Sequence, residues 1–241
     1  MDDAVGQPGS ALAGTRSPAA LPRAITGWIR AGTLDAQLAA LTSILVEAGL
    51  PLVVAASTGA HAGGWSGSNV RDALGRTVLT AGLPPRSRIQ TTAPVTVDAG
   101  SLEAVLARMP LLSLEAADEA GARVAIVLVA DPDEAGGGWR VRAAHFLRPP
   151  LRDGHGHLQR QGPAVLATWD PALRRFEHFA WAILPELAVL IARHAGDLDA
   201  DVTARADLLA GLVAHNVDDP GAVRLAIEAA RAAADAVPHR H

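Results

Sequence analysis

The stretch LPLVVAASTGAHAGGWS, Leu50 to Ser66, runs from a continuously apolar segment into a glycine-rich loop, and its reading decides the fold. Leu50 to Ala56 carries no polar residue, which is the pattern of a short strand buried on both faces in the middle of a parallel sheet. Upstream, Thr33 is placed to cap a helix over 34–48 with the apolar stripe Leu34, Leu38, Leu41 and Leu45, and Gly49 stands where a left-handed C-terminal cap is expected. Downstream, a weaker helical stretch covers Asn69 to Ala81. Helix, buried strand, glycine loop and helix make the opening of an α/β domain.

Further along, Arg88 to Val97 is rich in Thr, Val and Ile and reads as a strand. Ser101 caps a short helix to Arg108, and Ser113 to Ala120 reads as another. Val124 to Val129 is the strongest strand pattern in the chain, and Trp139 to Leu147 is predicted to pair with it as a hairpin across Asp131 to Gly138. Pro163 to Trp169 and Phe176 to Phe179 flank the turn Asp170-Pro171 in the same way. The remainder is helical: Ile183, Leu184, Leu187, Leu190 and Ile191 form one face ended by Gly196, followed by helices at roughly 201–214 and 219–235. There is no internal repeat. Residues 1–23, rich in Gly, Pro, Ser and Ala, read as a disordered lead-in without the basic start and apolar run of a signal peptide. Ile44 to Ala56 is too short to span a bilayer, which takes about 20 residues, and it contains Glu47.

Composition narrows the chemistry. The 241 residues carry a formal charge of −4, so there is no basic field to hold nucleic acid. Cys is absent, which removes disulfides, thiolate metal sites and cysteine nucleophiles. All 21 basic residues are Arg, so no lysine can serve as a P-loop cation, a Schiff base or a general base. This matters for Gly59 to Ser66, whose spacing matches the phosphate-cradling pattern G-x-x-x-x-G-K-[ST] at Gly59, Gly64 and Ser66, with Gly63 beside them. Trp65 stands in the lysine position, where an indole offers one neutral donor in place of a mobile positive charge. Any glycine-rich turn after a strand can reproduce this spacing.

The stretch Leu34 to Gly64 resembles the segment leading into the Walker A loop of the type II/type IV secretion ATPases, the RecA-like P-loop family of pilus-assembly and conjugation motors. The pairing of Val124 to Val129 with Val141 to Phe146, followed by Val165-Leu166-Ala167-Thr168-Trp169-Asp170-Pro171 and Phe176, is similar to that family's strand series ending in a W-D-P turn. The run Arg205, Leu208, Leu209, Leu212, Val217-Asp218-Asp219, Val223 and Ile227 is similar to its helical tail. The resemblance covers about two thirds of the chain. It implies a reduced RecA-like P-loop NTPase sheet over 24–200 with flanking helices, and a C-terminal helical portion over 201–241.

The same resemblance argues against hydrolysis. Thr96-Val97-Asp98-Ala99-Gly100-Ser101 aligns with the family's histidine box, with Asp98 where the histidine belongs. Between Ser66 and Thr96 the chain is too short for both the aspartate box and the Walker B strand, and no Glu occurs between Glu47 and Glu103. The leading expectation is therefore a cytoplasmic, non-hydrolysing relative with no catalytic residues. It would act through contacts with a paralogous ATPase or another subunit of secretion or pilus machinery, without nucleic acid or a membrane span. No cofactor is required. A second expectation is a nucleotide-binding module without turnover, holding ATP and magnesium through Gly59, Gly63, Gly64 and Ser66. A third is an unrelated small-molecule or metal-dependent enzyme built on His155 and His157, in the loop Asp153-Gly154-His155-Gly156-His157. That loop lacks a third ligand at fixed spacing and reads as a solvated turn. Asp197-Leu198-Asp199-Ala200-Asp201 fails as a calcium loop, because Val202 and Leu208 stand where Gly and a bidentate Glu are needed, and these acids are expected in the first turn of the following helix, where they complement its dipole. The five Trp residues are too scattered for a stacking surface and are expected in the core.

Overall fold

Leu52–Ala55 (β1) forms the parallel centre of a six-stranded mixed sheet because its side chains are apolar on both sides. The computed structural model describes residues 20–59, 61–62, 64–81, 94–108, 125–133, 137–149, 151–159 and 161–236. Leu52, Val54 and Ala56 face one core layer, while Val53 and Ala55 face a second on the opposite side of the sheet. Ala125–Asp133 (β5) divides its side chains in the same way, with Ile126, Leu128 and Ala130 in the larger layer and Ala125, Val127 and Val129 in the smaller. β1 pairs in parallel with β5 on one side and with Val95–Val97 (β4) on the other.

Ahead of β1 lie Ile25–Arg30 (α1) and Ala36–Glu47 (α2). The N-cap of α2 is Asp35, whose carboxylate accepts from the Leu38 N–H at 2.8 Å, and not Thr33 as the sequence suggested. Thr33 is fully buried, and its carbonyl accepts from Val141 N in the sheet. Gly49 ends α2 as expected, with φ of 97° and the paired bonds Gly49 N to Val46 O and Leu50 N to Leu45 O. From Leu38 to Glu47 every residue of α2 is buried, so this helix runs through the core.

Two short strands, His61–Ala62 (β2) and Trp65–Ser66 (β3), interrupt the loop after β1, and Gly67–Ala81 (α3) follows. Val70, Leu74 and Val78 of α3 lie in the larger layer. Leu102–Arg108 (α4) follows β4, and its Val105 belongs to the smaller layer. The Ser101 hydroxyl accepts from Ala104 N, as a cap should. The expected helix Ser113 to Ala120, residues 88–93 of the expected strand and Val124 lie outside the described residues.

Gly138–Leu147 (β6) pairs antiparallel with β5 as predicted. The register shifts beside Val129, leaving Arg142 as an extra residue, so the inward side chains change from Trp139 and Val141 to Ala144 and Phe146. Leu151–Arg152 (β7) and Leu158–Gln159 (β8) form a separate hairpin. Ala164–Asp170 (β9) and Arg175–His178 (β10) complete the sheet, whose order is β10-β9-β6-β5-β1-β4.

A 3-10 turn at Ala180–Ala182 leads into Leu184–Leu190 (α5). This helix ends at Ala192 (φ 55°), not at Gly196, which lies in the first turn of Ala195–Ala214 (α6). α6 thus begins six residues before the expected 201, because Leu198 and Val202 already form its buried seam. Pro220–Ala236 (α7) follows, capped by Asp219, which accepts from Ala222 N. Leu198, Val202 and Leu209 of α6 and Val223 and Ile227 of α7 share the larger core layer with α1, α2 and α3. Among the described residues no helix is long and apolar enough to cross a membrane.

Candidate functional site

α3 leaves β1 on one face of the sheet and α4 leaves β4 on the other, so the two connections diverge at the carboxyl ends of adjacent parallel strands. The carboxyl ends of parallel strands are where α/β sheets bind ligands, and here Thr58, Arg71 and Asp98 lie together at that edge. Thr58 donates to Asp98 from its backbone N–H to Oδ1 at 2.8 Å and from its hydroxyl to Oδ2 at 2.5 Å. Arg71, on the first turns of α3, is buried against the same edge, donates to the Ala56 carbonyl and lies 3.7 Å from Asp98 Oδ1. The hydrogen bonds from Thr58, more than the Arg71 charge, hold the Asp98 carboxyl below its ordinary 3.8. Nearby, Asp131 lies 3.9 Å from where a Gly100 Cβ would stand, and burial raises its pKa against the pull of Arg142.

The glycine loop is arranged by packing. β2 and β3 pair His61 with Ser66 and Ala62 with Trp65, and Gly64 in the turn has φ of 83°. The Trp65 ring meets Trp28 edge-on with centroids 6.1 Å apart, and its carbonyl accepts from Trp139 Nε1 at 3.2 Å. The residue in the lysine position is therefore half-buried in an aromatic cluster with two core tryptophans. Ser66 Oγ is 2.9 Å from Ser68 Oγ and accepts from Asn69 N at 3.4 Å, at the start of α3. A Cβ added at Gly59 would meet nothing within 4 Å, whereas Gly63 lies outside the described residues. The tightest approach is at a glycine the sequence did not single out: a Cβ on Gly67 would stand 2.0 Å from the Ser57 carbonyl oxygen and 3.1 Å from the Trp139 ring. Only glycine lets α3 begin this close to the end of β1.

The histidine loop is the tip of the β7–β8 hairpin. Asp153 Oδ1 accepts from His155 N at 2.9 Å and His157 N at 2.8 Å, and Asp153 Oδ2 lies 3.3 Å from His157 Nδ1. The backbone donor at His157 is the largest influence lowering the Asp153 pKa. The two rings are 6.2 Å apart and exposed. Among the described residues no three His, Asp or Glu side chains are grouped to hold a metal. His145 sits elsewhere, on the sheet, where burial lowers its pKa and Glu103 opposes that shift. His178 bonds Asp35 at 2.8 Å and ties β10 to the start of α2. Trp28 and Trp139 occupy the core as expected, but Trp181 is 73% exposed.

No protein-family model and no curated protein matches this chain.

If Thr58 holds the Asp98 carboxylate as described, Asp98 should titrate below 3.8 in a carbon-detected NMR titration, and Thr58→Ala should move the midpoint upward by removing the hydroxyl donor. The sign follows from the ionised form being the one the fold prefers. Its contribution is present at neutral pH and is lost only as the pH falls through the depressed value. An unchanged midpoint in Thr58→Ala would show that the hydroxyl contributes nothing.

Proposed function

We propose that this protein is a non-hydrolysing relative of the secretion and pilus-assembly P-loop ATPases, with a reduced RecA-like sheet, acting through contacts with another protein. One observation carries the reading. Asp98 belongs to the segment aligned with that family's histidine box, Thr58 directly precedes the loop aligned with its Walker A motif, and the two are hydrogen-bonded. Segments that serve one active site in the motors thus meet at one sheet edge here, although 40 residues separate them. Three features support loss of turnover: Trp65 in place of the lysine, Asp98 in place of the histidine, and no Glu between Glu47 and Glu103. A role through protein contacts is supported by large apolar side chains in solvent near α5, with Trp181 73% and Val189 79% exposed.

Purified protein with magnesium and ATP should show no phosphate release above background. Loss of the lysine removes roughly 3 kcal/mol or more of transition-state charge stabilisation. Trp65→Lys should not restore activity, because the glutamate that activates water in the motors has no counterpart between Glu47 and Glu103. ATP turnover that persists through purification and disappears in Ser66→Ala would overturn the reading.

A nucleotide-binding module without turnover is the second reading, favoured by the divergence of α3 and α4 at the carboxyl ends of β1 and β4. Calorimetric titration with ATP distinguishes the two.

A further inference from the structure

The contacts around Asp98 form a complete oxyanion receptor that already has an occupant. A carboxylate presents two oxygens, and each receives a donor from Thr58, one from the backbone and one from the hydroxyl. The third partner is a cation on a different element: Arg71 of α3, with 9% of its side chain exposed, faces the same carboxylate at 3.7 Å. Arg71 Nε is buried without a hydrogen-bond partner, so this guanidinium retains an unused donor. Half of the Asp98 side chain is exposed, at 51%, so solvent reaches the occupant. Two neutral donors on one residue and a buried guanidinium opposite suit tetrahedral phosphate oxygens as well as a carboxylate.

We infer that Thr58 and Arg71 form a phosphate-class oxyanion site at the carboxyl end of β1, and that the Asp98 side chain fills it from within as a tethered substitute for the ligand. That the displaced oxyanion is a phosphate rests on the functional reading above, whereas the receptor itself rests on the contacts. Tethering gives the carboxylate an effective concentration in the millimolar range or higher. Free phosphate must compete against that concentration and against the negative charge of Asp98. The chain is thereby closed to phosphate by a single residue.

The test uses inorganic phosphate, at ionic strength held constant with chloride, on the full chain and on Asp98→Ala. Calorimetry should show phosphate binding at least about tenfold tighter in Asp98→Ala than in the unsubstituted protein. Phosphate should also raise the melting temperature of the variant and not that of the parent. Adding Arg71→Gln to Asp98→Ala should abolish the gain. If Asp98→Ala fails to fold, Asp98→Asn removes the charge while preserving the shape, and the same direction is expected. A folded Asp98 variant that binds phosphate no more tightly than the parent overturns the inference, as does a gain that survives Arg71→Gln. ATP hydrolysis by the unsubstituted protein would overturn the functional reading instead, so the two failures are distinguishable.

Discussion

Leu209→Asp should destabilise the protein by about 3 to 5 kcal/mol, the range for a buried charge left without a partner. Leu209 is fully buried in the core layer that α6 shares with α1, α2, α3 and α7. The carboxylate would have to remain there unpaired or pull α6 away from α2. Against a total stability on the order of 5 to 15 kcal/mol, that loss lowers the melting temperature by roughly 10 °C. Leu225 on α7, 61% exposed, provides the control, and Leu225→Asp should change stability by less than about 0.5 kcal/mol. Circular dichroism during urea and thermal unfolding measures both. If Leu209→Asp unfolds at the same denaturant concentration as the parent, the α6 seam does not belong to the core.

The elements that were legible in the sequence are those whose burial is continuous. Leu50 to Ala56 and Val124 to Val129 are apolar at every position, and Leu52–Ala55 and Ala125 to Val129 within them are interior strands with side chains in two core layers. Helix ends were less legible where two capping residues compete. Thr33 and Asp35 are both good N-caps, and Asp35 prevails because the Thr33 carbonyl is taken by Val141 N. Asp197, as expected of these acids, lies in the first turn of α6, but the helix starts ahead of 201 because Asp197, Asp199 and Asp201 lie on the outer side of a turn whose inner side is already Leu198 and Val202. The α/β class was therefore readable from local pattern, while the pairing of β1 with β4 depended on distant segments.

The site was only half legible. The glycine loop stood out, and the substitution at Trp65 was visible, but its reason was not: contact with Trp28 and Trp139 joins residues far apart in sequence. Asp98 could be found as an acid directly following a Thr-Val strand, at the carboxyl edge where α/β sheets gather ligands. Its partner Thr58 could not, because the register of β4 on β1 decides which loop residue it meets. Arg71 lay in the weakest helical pattern, and nothing local marks it as buried.

Glu47 makes the strongest case for chemistry that becomes visible only in three dimensions. In the sequence it is a lone acid in an apolar run. In the structure it lies at the end of α2 with 8% of its side chain exposed, and two arginines converge on it. Arg205 Nη1 donates to Glu47 Oε2 at 2.9 Å, and Arg231 Nη1 donates to Oε1. Each arginine continues an apolar seam: Arg205 stands between Val202 and Leu209 on α6, and Arg231 follows Val223 and Ile227 one turn further along α7. The carboxylate therefore fastens three helices from one point. Burial lowers the Arg205 pKa, and the nearby Asp201 offsets part of that shift. Glu47→Ala should destabilise the fold by about 3 to 5 kcal/mol, because it leaves the Arg205 guanidinium buried without the carboxylate it is hydrogen-bonded to. Arg231→Ala should have a smaller effect, since that side chain is 26% exposed and its loss still leaves Glu47 paired with Arg205. Replacing all three by apolar residues of similar volume should recover most of the loss, because a buried ion cluster holds a fold chiefly by leaving no member unpaired. Urea unfolding of the single and combined variants measures each term, and a Glu47→Ala protein within about 1 kcal/mol of the parent would show that α6 and α7 are held to α2 by their apolar seams alone.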